Sequence, residues 1–320
     1  MPTSRSLIVR AGVALGVGAL ALGGTATAHA SPAASDAAGA SAAPGTRGVV
    51  PPATAPHQGH VSGVRYGADV TVANPQSVHA FKVLHRDLIA RSRGASGSAI
   101  DTIHPSDGTS FDASTVGSQA TQSVSTKIKP ARGDTTLYTP TMYPSGGSTP
   151  GSCIEMSTAY FASSQVVAAW DWCKAITFVA EIPIDKSFIK TYTKHHNYTT
   201  QIVQTKASDN TWTSYLYNYK SGKWETFFTQ NGTSELQGVQ GWDVYELYSE
   251  VDGNGQSYAC ADLEGRRIEA QGIKVGVGGK LVPATSDNAG NAYDHADSDF
   301  YCDSFSYDMI KPFSHWRAVG

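Results

Sequence analysis

The chain is poor in charge. Asp, Glu, Lys and Arg make up 16% of its 320 residues, and the formal net charge is -3. Phosphate-rich and anionic-membrane partners need clustered Lys and Arg, so nucleic acid is excluded as the ligand. Beyond residue 30 there is no apolar run long enough to cross a bilayer, so no membrane association is expected after removal of a leader. Several catalytic signatures are also missing. There is no GxSxG elbow, no HExxH and no phosphate loop after a strand, and those enzyme classes recede. Cysteine is scarce, at four residues, and no CxxC or CxxH hairpin chelates zinc. The expectation is therefore no cofactor.

The sequence begins like a secretory leader. Arg5 and Arg10 supply a positive start, Ala11 to Leu22 is apolar but short, and Ala28-His29-Ala30 carries small residues where a signal peptidase cuts. Residues 1–30 read as a signal peptide and the protein as secreted, a monomer in the extracellular space. In that oxidising space an even cysteine count means disulfides. Four cysteines allow three pairings. The spacing puts Cys153 and Cys173 at the ends of neighbouring strands, which favours Cys153 with Cys173 and Cys260 with Cys302.

Residues 31–135 read as an extension or propeptide. Ala, Ser, Gly, Pro and Thr dominate its start and cannot bury enough apolar surface to offset the entropy of ordering. One helix is expected near 75–93: Asn74 suits the cap, Pro75 the first turn, and Val78, Phe81, Leu84 and Leu88 recur at helical spacing. All six tryptophans lie beyond Thr136. There, β-rich runs (Leu137–Met142, Ile154–Ala162, Gln165–Trp172, Ile176–Ile184, Tyr198–Thr205, Thr211–Tyr219, Trp224–Thr229, Trp242–Tyr248, Arg267–Val277, Phe300–Tyr307) alternate with turn residues. Many short strands with regular turns make 136–320 an all-β sandwich or barrel.

Strand alternation sorts the aromatics. Thr211, Thr213, Tyr215, Tyr217 and Tyr219 share one face, opposite Trp212, Ser214, Leu216 and Asn218. Likewise Trp242, Val244, Glu246 and Tyr248 share a face, opposite Asp243, Tyr245 and Leu247. Sugar rings stack their C–H faces on aromatic rings and need amide and carboxyl partners for their hydroxyls. Tyr215, Tyr217, Trp242, Tyr248, Trp212, Trp224, Asn218, Gln201 and Asp243 supply both kinds of group, so a glycan or polysaccharide is the expected partner. Carboxylates on strands also suit general acid–base work: Glu155 and Glu246 first, with Gln204, Glu181 and Asp171 as further candidates.

Three stretches carry a resemblance. They are Ser214-Tyr-Leu-Tyr-Asn-Tyr-Lys-Ser-Gly-Lys-Trp224, Gly241-Trp-Asp-Val-Tyr-Glu-Leu-Tyr-Ser-Glu250 and Ala261-Asp-Leu-Glu-Gly265. Their succession resembles the concanavalin A-like superfamily, and most of all its fungal-type glutamic peptidase (eqolisin-like) branch, over roughly residues 150 to 285. The resemblance implies a concanavalin A-like jelly-roll sandwich and a catalytic glutamate at Glu246. Where the branch carries a catalytic glutamine in a Q-T-G-like strand, this chain reads Ile154-Glu155-Met156-Ser157-Thr158, so either Glu155 replaces the glutamine or nothing does. The tryptophan precedes Glu246 by four residues where the branch has three, which exchanges the sheet face of one of the two.

The leading expectation is a secreted carbohydrate-binding protein. The alternatives are an acid-active glutamic peptidase-like hydrolase using Glu246 with Glu155, and a structural or inhibitory secreted protein whose aromatics are all core. Among weaker signals, Asp294, Asp297, Asp299 and Asp303 would be the place for a Ca²⁺ ion, although their spacing fits no loop motif and a solvated acidic loop is the simpler reading. Asn197-Tyr198-Thr199 and Asn231-Gly232-Thr233 are glycosylation sequons. Arg132-Gly133-Asp134 and His195-His196 read as solvated loop and turn.

Overall fold

The structure is a computed structural model that describes residues 50–73, 102–112, 114–131, 136–145, 151–162, 164–236, 239–290 and 297–320. The leader, the helix expected near 75–93, Arg132-Gly133-Asp134 and Asp294 lie outside the described residues.

In chain order the elements are β1 (His57–His60), β2 (Arg65–Tyr66), α1 (Ala68–Ala73), β3 (Thr102–Ile103), β4 (Ser106–Phe111), β5 (Gly117–Ser123), β6 (Thr136–Tyr143), β7 (Ile154–Tyr160), β8 (Gln165–Asp171), β9 (Thr177–Pro183), α2 (Lys186–Tyr192), β10 (Thr193–Lys194) and β11 (Asn197–Lys206). There follow β12 (Thr211–Asn218), β13 (Lys223–Gln230), β14 (Gly241–Glu250), α3 (Ala259–Leu263), β15 (Arg267–Val277), β16 (Lys280–Pro283), β17 (Ala289–Gly290), a 3₁₀ turn (Asp297–Phe300), β18 (Ser306–Lys311) and β19 (His315–Val319).

These strands form two sheets. The first runs β1-β13-β12-β11-β5-β15-β19-β18, with β10 added on β11 and β16 on β15. The second runs β17-β4-β14-β6-β7-β8-β9-β2, with β3 added on β14. The core between them draws Phe111, Met156, Val167, Ala169, Tyr245 and Leu247 from the second sheet and Ala120, Tyr198, Ile202, Trp212, Leu216, Ile268 and Trp316 from the first. The fold is a β-sandwich.

Period-2 alternation explains each assignment. In β12, Trp212 and Leu216 enter the core while Tyr215 and Tyr217 stay half-buried on the outer face. In β8, Val167 and Ala169 point inward, and Val166, Ala168 and Trp170 belong to a second apolar cluster on the opposite face. A strand covered on both sides reads as a continuous apolar run, as Gln165–Trp172 does. At the β10–β11 turn the exposed His195 and His196 adopt φ of 54° and 58°, the left-handed pair that a two-residue hairpin requires.

The sandwich starts well before residue 136, which corrects the expected boundary. β4 and β5 are central strands, β4 beside β14 and β5 between β11 and β15. Their sequences, SDGTSF and GSQATQS, are almost wholly buried yet nearly devoid of large apolar residues. Polar ladders replace the apolar signal: Gln201 Nε2 donates to Gln119 Oε1 at 2.9 Å, and the Thr121 and Thr199 hydroxyls meet at 2.7 Å. At the other end, only Ser306 and Tyr307 of the expected run Phe300–Tyr307 are in a strand, at the start of β18. Phe300 and Phe305 instead stack on each other and on Tyr245 from a turn, and the last two strands are β18 and β19.

Both disulfides pair as the strand spacing indicated, Cys153 with Cys173 and Cys260 with Cys302. No helix among the described residues is long and apolar enough to cross a membrane.

Candidate active site

The outer face of the second sheet carries an unusual mixture: large aromatics around two carboxyl groups. Along β14, Asp243, Tyr245 and Leu247 turn into the sandwich, while Trp242, Val244 and Tyr248 join the outer apolar cluster. Glu246 alternates with them and faces outward too. Two strands away, beyond β6, Ile154 and Met156 of β7 point to the core and Glu155 to the same outer face as Glu246. The alternation therefore brings the two glutamates together from strands far apart in sequence.

Glu155 is essentially closed off from solvent, at 1% exposure. Trp172 Nε1 donates to its Oε2 at 2.9 Å, and the Trp242 indole is close enough to favour its charged form. Burial pushes its carboxyl well above the usual carboxylate range, and the nearby charge of Glu246 pushes it further. The two indoles oppose that rise without reversing it. Glu155 is thus a neutral acid over a wide pH range. Around it, Tyr143 stacks on Trp242 with ring centroids 4.6 Å apart, meets Trp172 edge-on at 6.2 Å, and the row continues through Trp170 to Phe178.

The Cys153–Cys173 disulfide holds this frame. Cys153 lies two residues before Glu155 and Cys173 one after Trp172, and Trp172 N donates to Cys153 O at 2.9 Å. Asp171 completes the turn by accepting from the Cys173, Lys174 and Ala175 amides and from Gln230 Nε2, which explains its burial. Replacing Cys153 and Cys173 together by serine is expected to cost about 3 kcal/mol, from the loop entropy released to the unfolded chain. The measurement is a melting temperature lower by roughly 6–12 °C.

Glu246 is less enclosed, and its partner comes from the segment ahead of β4. His104 Nε2 lies 3.1 Å from Glu246 Oε1, and the His104 ring stacks on Tyr248 with centroids 4.0 Å apart at 17°. β3 pairs with Ser249 and Glu250, Leu247 N donates to Pro105 O at 3.1 Å, and Ser106 pairs with Glu246. In that register His104 stands across from Tyr248 and diagonal to Glu246, both within side-chain reach.

The remaining candidate residues are dispersed. Trp212 is a core residue, its Nε1 donating to Asn210 Oδ1. Asn218 donates to Glu225 and caps the Lys220–Ser221 turn. Asp243 lies inside the sandwich, where Trp316 Nε1 and Gln122 Nε2 donate to it. Tyr215, Tyr217, Gln201 and Trp224 face outward from the first sheet, on the opposite side of the molecule from Trp242 and Tyr248. One glycan surface made from both sets is ruled out by the two-layer architecture. The N-terminal segment also lies on the first sheet's face: Ala53 O accepts from Gln201 Nε2, Pro52 O from Trp224 Nε1, and the His57 ring meets Tyr215 edge-on at 4.5 Å. Glu181 pairs with Arg65 at the far edge of the second sheet, and Gln204 with Asn210. Among the described residues no cluster of His, Cys, Asp or Glu is arranged to hold a metal ion.

His104, Tyr143 and Trp172 were not singled out from the sequence. Trp172 carried a signal, since an indole beside a paired cysteine ends a strand that neighbours Glu155. His104 carried none, because β3 and β4 lack the hydrophobic alternation that marks a strand.

No protein-family model and no curated protein sequence matches the chain. Among solved structures it is similar to a scytalido-glutamic peptidase with a peptide-based transition-state analog, at 9% identity and a TM-score of 0.39. It is also similar to SCP-B, a member of the eqolisin family of peptidases in complex with the tripeptide Ala-Ile-His, at 10% identity and a TM-score of 0.38. Both matches cover 69% of this chain and 99% of the other. The chemistry assigned to the site stands on the geometry above.

Proposed function

We propose that the chain is a secreted, acid-active hydrolase that cleaves polypeptides with Glu155 and Glu246. One observation carries this reading: two glutamates share an outer sheet face within reach of each other's charge, one closed off and held neutral, the other slightly less enclosed and in contact with His104. Burying a carboxyl without a cation partner is costly, and a pair whose environments differ is the arrangement that separates an acid from a base. A polypeptide substrate follows from the glutamic peptidase resemblance of the Gly241–Glu250 strand. The two disulfides agree with an oxidising, extracellular location.

The chemistry balances without a cofactor. Glu246, as carboxylate, removes a proton from a water whose oxygen attacks the scissile carbonyl carbon. Neutral Glu155 donates a hydrogen bond to the carbonyl oxygen as it gains negative charge, the stabilisation an oxyanion hole provides. Glu246 then passes its proton to the amide nitrogen, the C–N bond breaks, and the amine departs. The test is incubation of the secreted protein with an acid-denatured polypeptide and, separately, with polysaccharides. Peptide products at about pH 4 that vanish at neutral pH support the reading, since that range keeps one carboxyl of a coupled pair protonated. Tryptophan fluorescence that responds to a polysaccharide, with no cleavage of either substrate, returns the chain to the carbohydrate-binding class.

A further inference from the structure

We infer that His104 is a positioning residue of this site, which fixes the Glu246 carboxylate through Oε1 and keeps it the base of the pair in acid. The inference rests on the hydrolase reading above and adds to it a residue of a third chemical type. Two carboxyls alone share a proton ambiguously, and something must decide which of them is ionised. Burial and the two indoles distinguish Glu155 from one side. His104 does so from the other.

Four features hold the imidazole where it can act. Its Nε2 is 3.1 Å from Glu246 Oε1, its ring stacks on Tyr248, β3 pairs with the end of β14 before it, and Pro105 O accepts from Leu247 N after it. A ring clamped by pairing on both sides is not a wandering surface side chain. In acid an imidazole carries a proton, so the contact becomes a charge-assisted hydrogen bond to a carboxylate. Only one oxygen of Glu246 is taken this way. By register the ionisable groups on the face of His104 are Glu246, Tyr248 and Glu250 on β14, with Glu155 across that face on β7, while Asp107 on the strand it leads into pairs with Tyr245 on the other face.

The experiment uses the full chain with His104→Ala and His104→Gln, each first checked for an unchanged melting transition and near-ultraviolet spectrum. With a denatured polypeptide as substrate, His104→Ala is expected to leave KM within about twofold and lower kcat about tenfold on the acid side, moving the acid limb of the profile up by about one pH unit. His104→Gln keeps a donor but not the charge. It should recover the rate above that limb and not the limb itself. A loss by the same factor at every pH means a packing role and overturns the inference, as does a gain in rate, which would mean that His104 obstructs the site. A second readout is independent of turnover. The imidazole titration of His104, followed by NMR, should move to lower pH in Glu246→Gln. If it moves while the parent protein cleaves nothing, the His104–Glu246 pair stands and the hydrolase reading falls; if it does not move, the inference falls whatever the activity.

Discussion

Glu246→Gln is expected to abolish acid cleavage, whereas Glu155→Gln is expected to retain it and extend it toward neutral pH. The asymmetry follows from the two environments. Glu246 has to take a proton from water, and an amide cannot, so the loss should be at least about 10²-fold in kcat with KM little changed. Glu155 has a different task. Buried, facing Glu246 and contacted by Trp172 and Trp242, it serves as a neutral donor to the developing oxyanion. An amide NH₂ of nearly the same shape donates equally well. In the parent protein the activity must fall once Glu155 ionises, because a second carboxylate then repels both the oxyanion and Glu246. Glutamine has no such limit, so the descending limb of the pH–rate profile should disappear or shift upward in Glu155→Gln. Identical profiles for the parent and Glu155→Gln would show that Glu155 does not set that limb. Loss of activity in both variants would instead make Glu155 a proton carrier, with a direct part in the protonation of the leaving amine.

The sequence showed this site only in part, for reasons visible in particular strands. In β12 and β14 large side chains alternate with small or polar ones, and the face assignments of Trp242, Glu246 and Tyr248 were readable from period 2 alone. Which way each face looks was not. An outer aromatic face under cover and an inner core face have the same composition, so Trp212 and Trp242 look alike in sequence although one fills the core and the other frames the carboxyls. The boundary near residue 136 failed for a different reason. β4 and β5 are buried through serine, threonine, glutamine and glycine, with Gln119 and Thr121 bonded to Gln201 and Thr199 of β11, and a rule that equates burial with apolar residues reads them as linker. At Gly108 the reason is explicit. A Cβ there would lie 2.4 Å from Asp243 O and 2.6 Å from Val244 Cα, so β4 can approach β14 this closely only without a side chain. His104 went unnoticed with them, since it reaches the site only because β4 is a strand.

Stability should be greatest in acid and fall as the pH rises toward neutrality, and Asp243 is expected to account for a substantial share. Its carboxyl lies between the sheets, where burial pushes it up to about 7 against the opposing hydrogen bonds from Trp316 and Gln122. The sign follows from linkage. An acid whose folded-state value is raised binds its proton more tightly in the folded protein, so its contribution is complete below the unfolded-chain value near 4 and is lost as pH climbs through about 7. A rise of that size is worth about 4 kcal/mol across the window. Glu181, also pushed up to about 7 by burial despite Arg65, and Glu155 act in the same direction. Glu269 opposes them. Burial alone would raise it, but the hydrogen bond from His315 and the charges of Arg267 and Arg317 hold it below its ordinary value, so its contribution is lost on going to low pH. Asp262 is raised by burial as well, and the other two lowered carboxyls, Asp209 and Asp252, are fully exposed, so the buried raised groups give a net preference for acid. Denaturant unfolding between about pH 4 and pH 8 should show the midpoint falling as pH rises, and Asp243→Asn should flatten part of that slope because an amide stays neutral throughout. A parent midpoint that rises with pH over this range would mean that Asp243 is ionised in place, stabilised by Trp316 and Gln122 alone. Flattening by Asp243→Asn with cleavage still confined to acid would separate the two effects: the interior carboxyl would set where the fold is most stable, and the outer pair where it works.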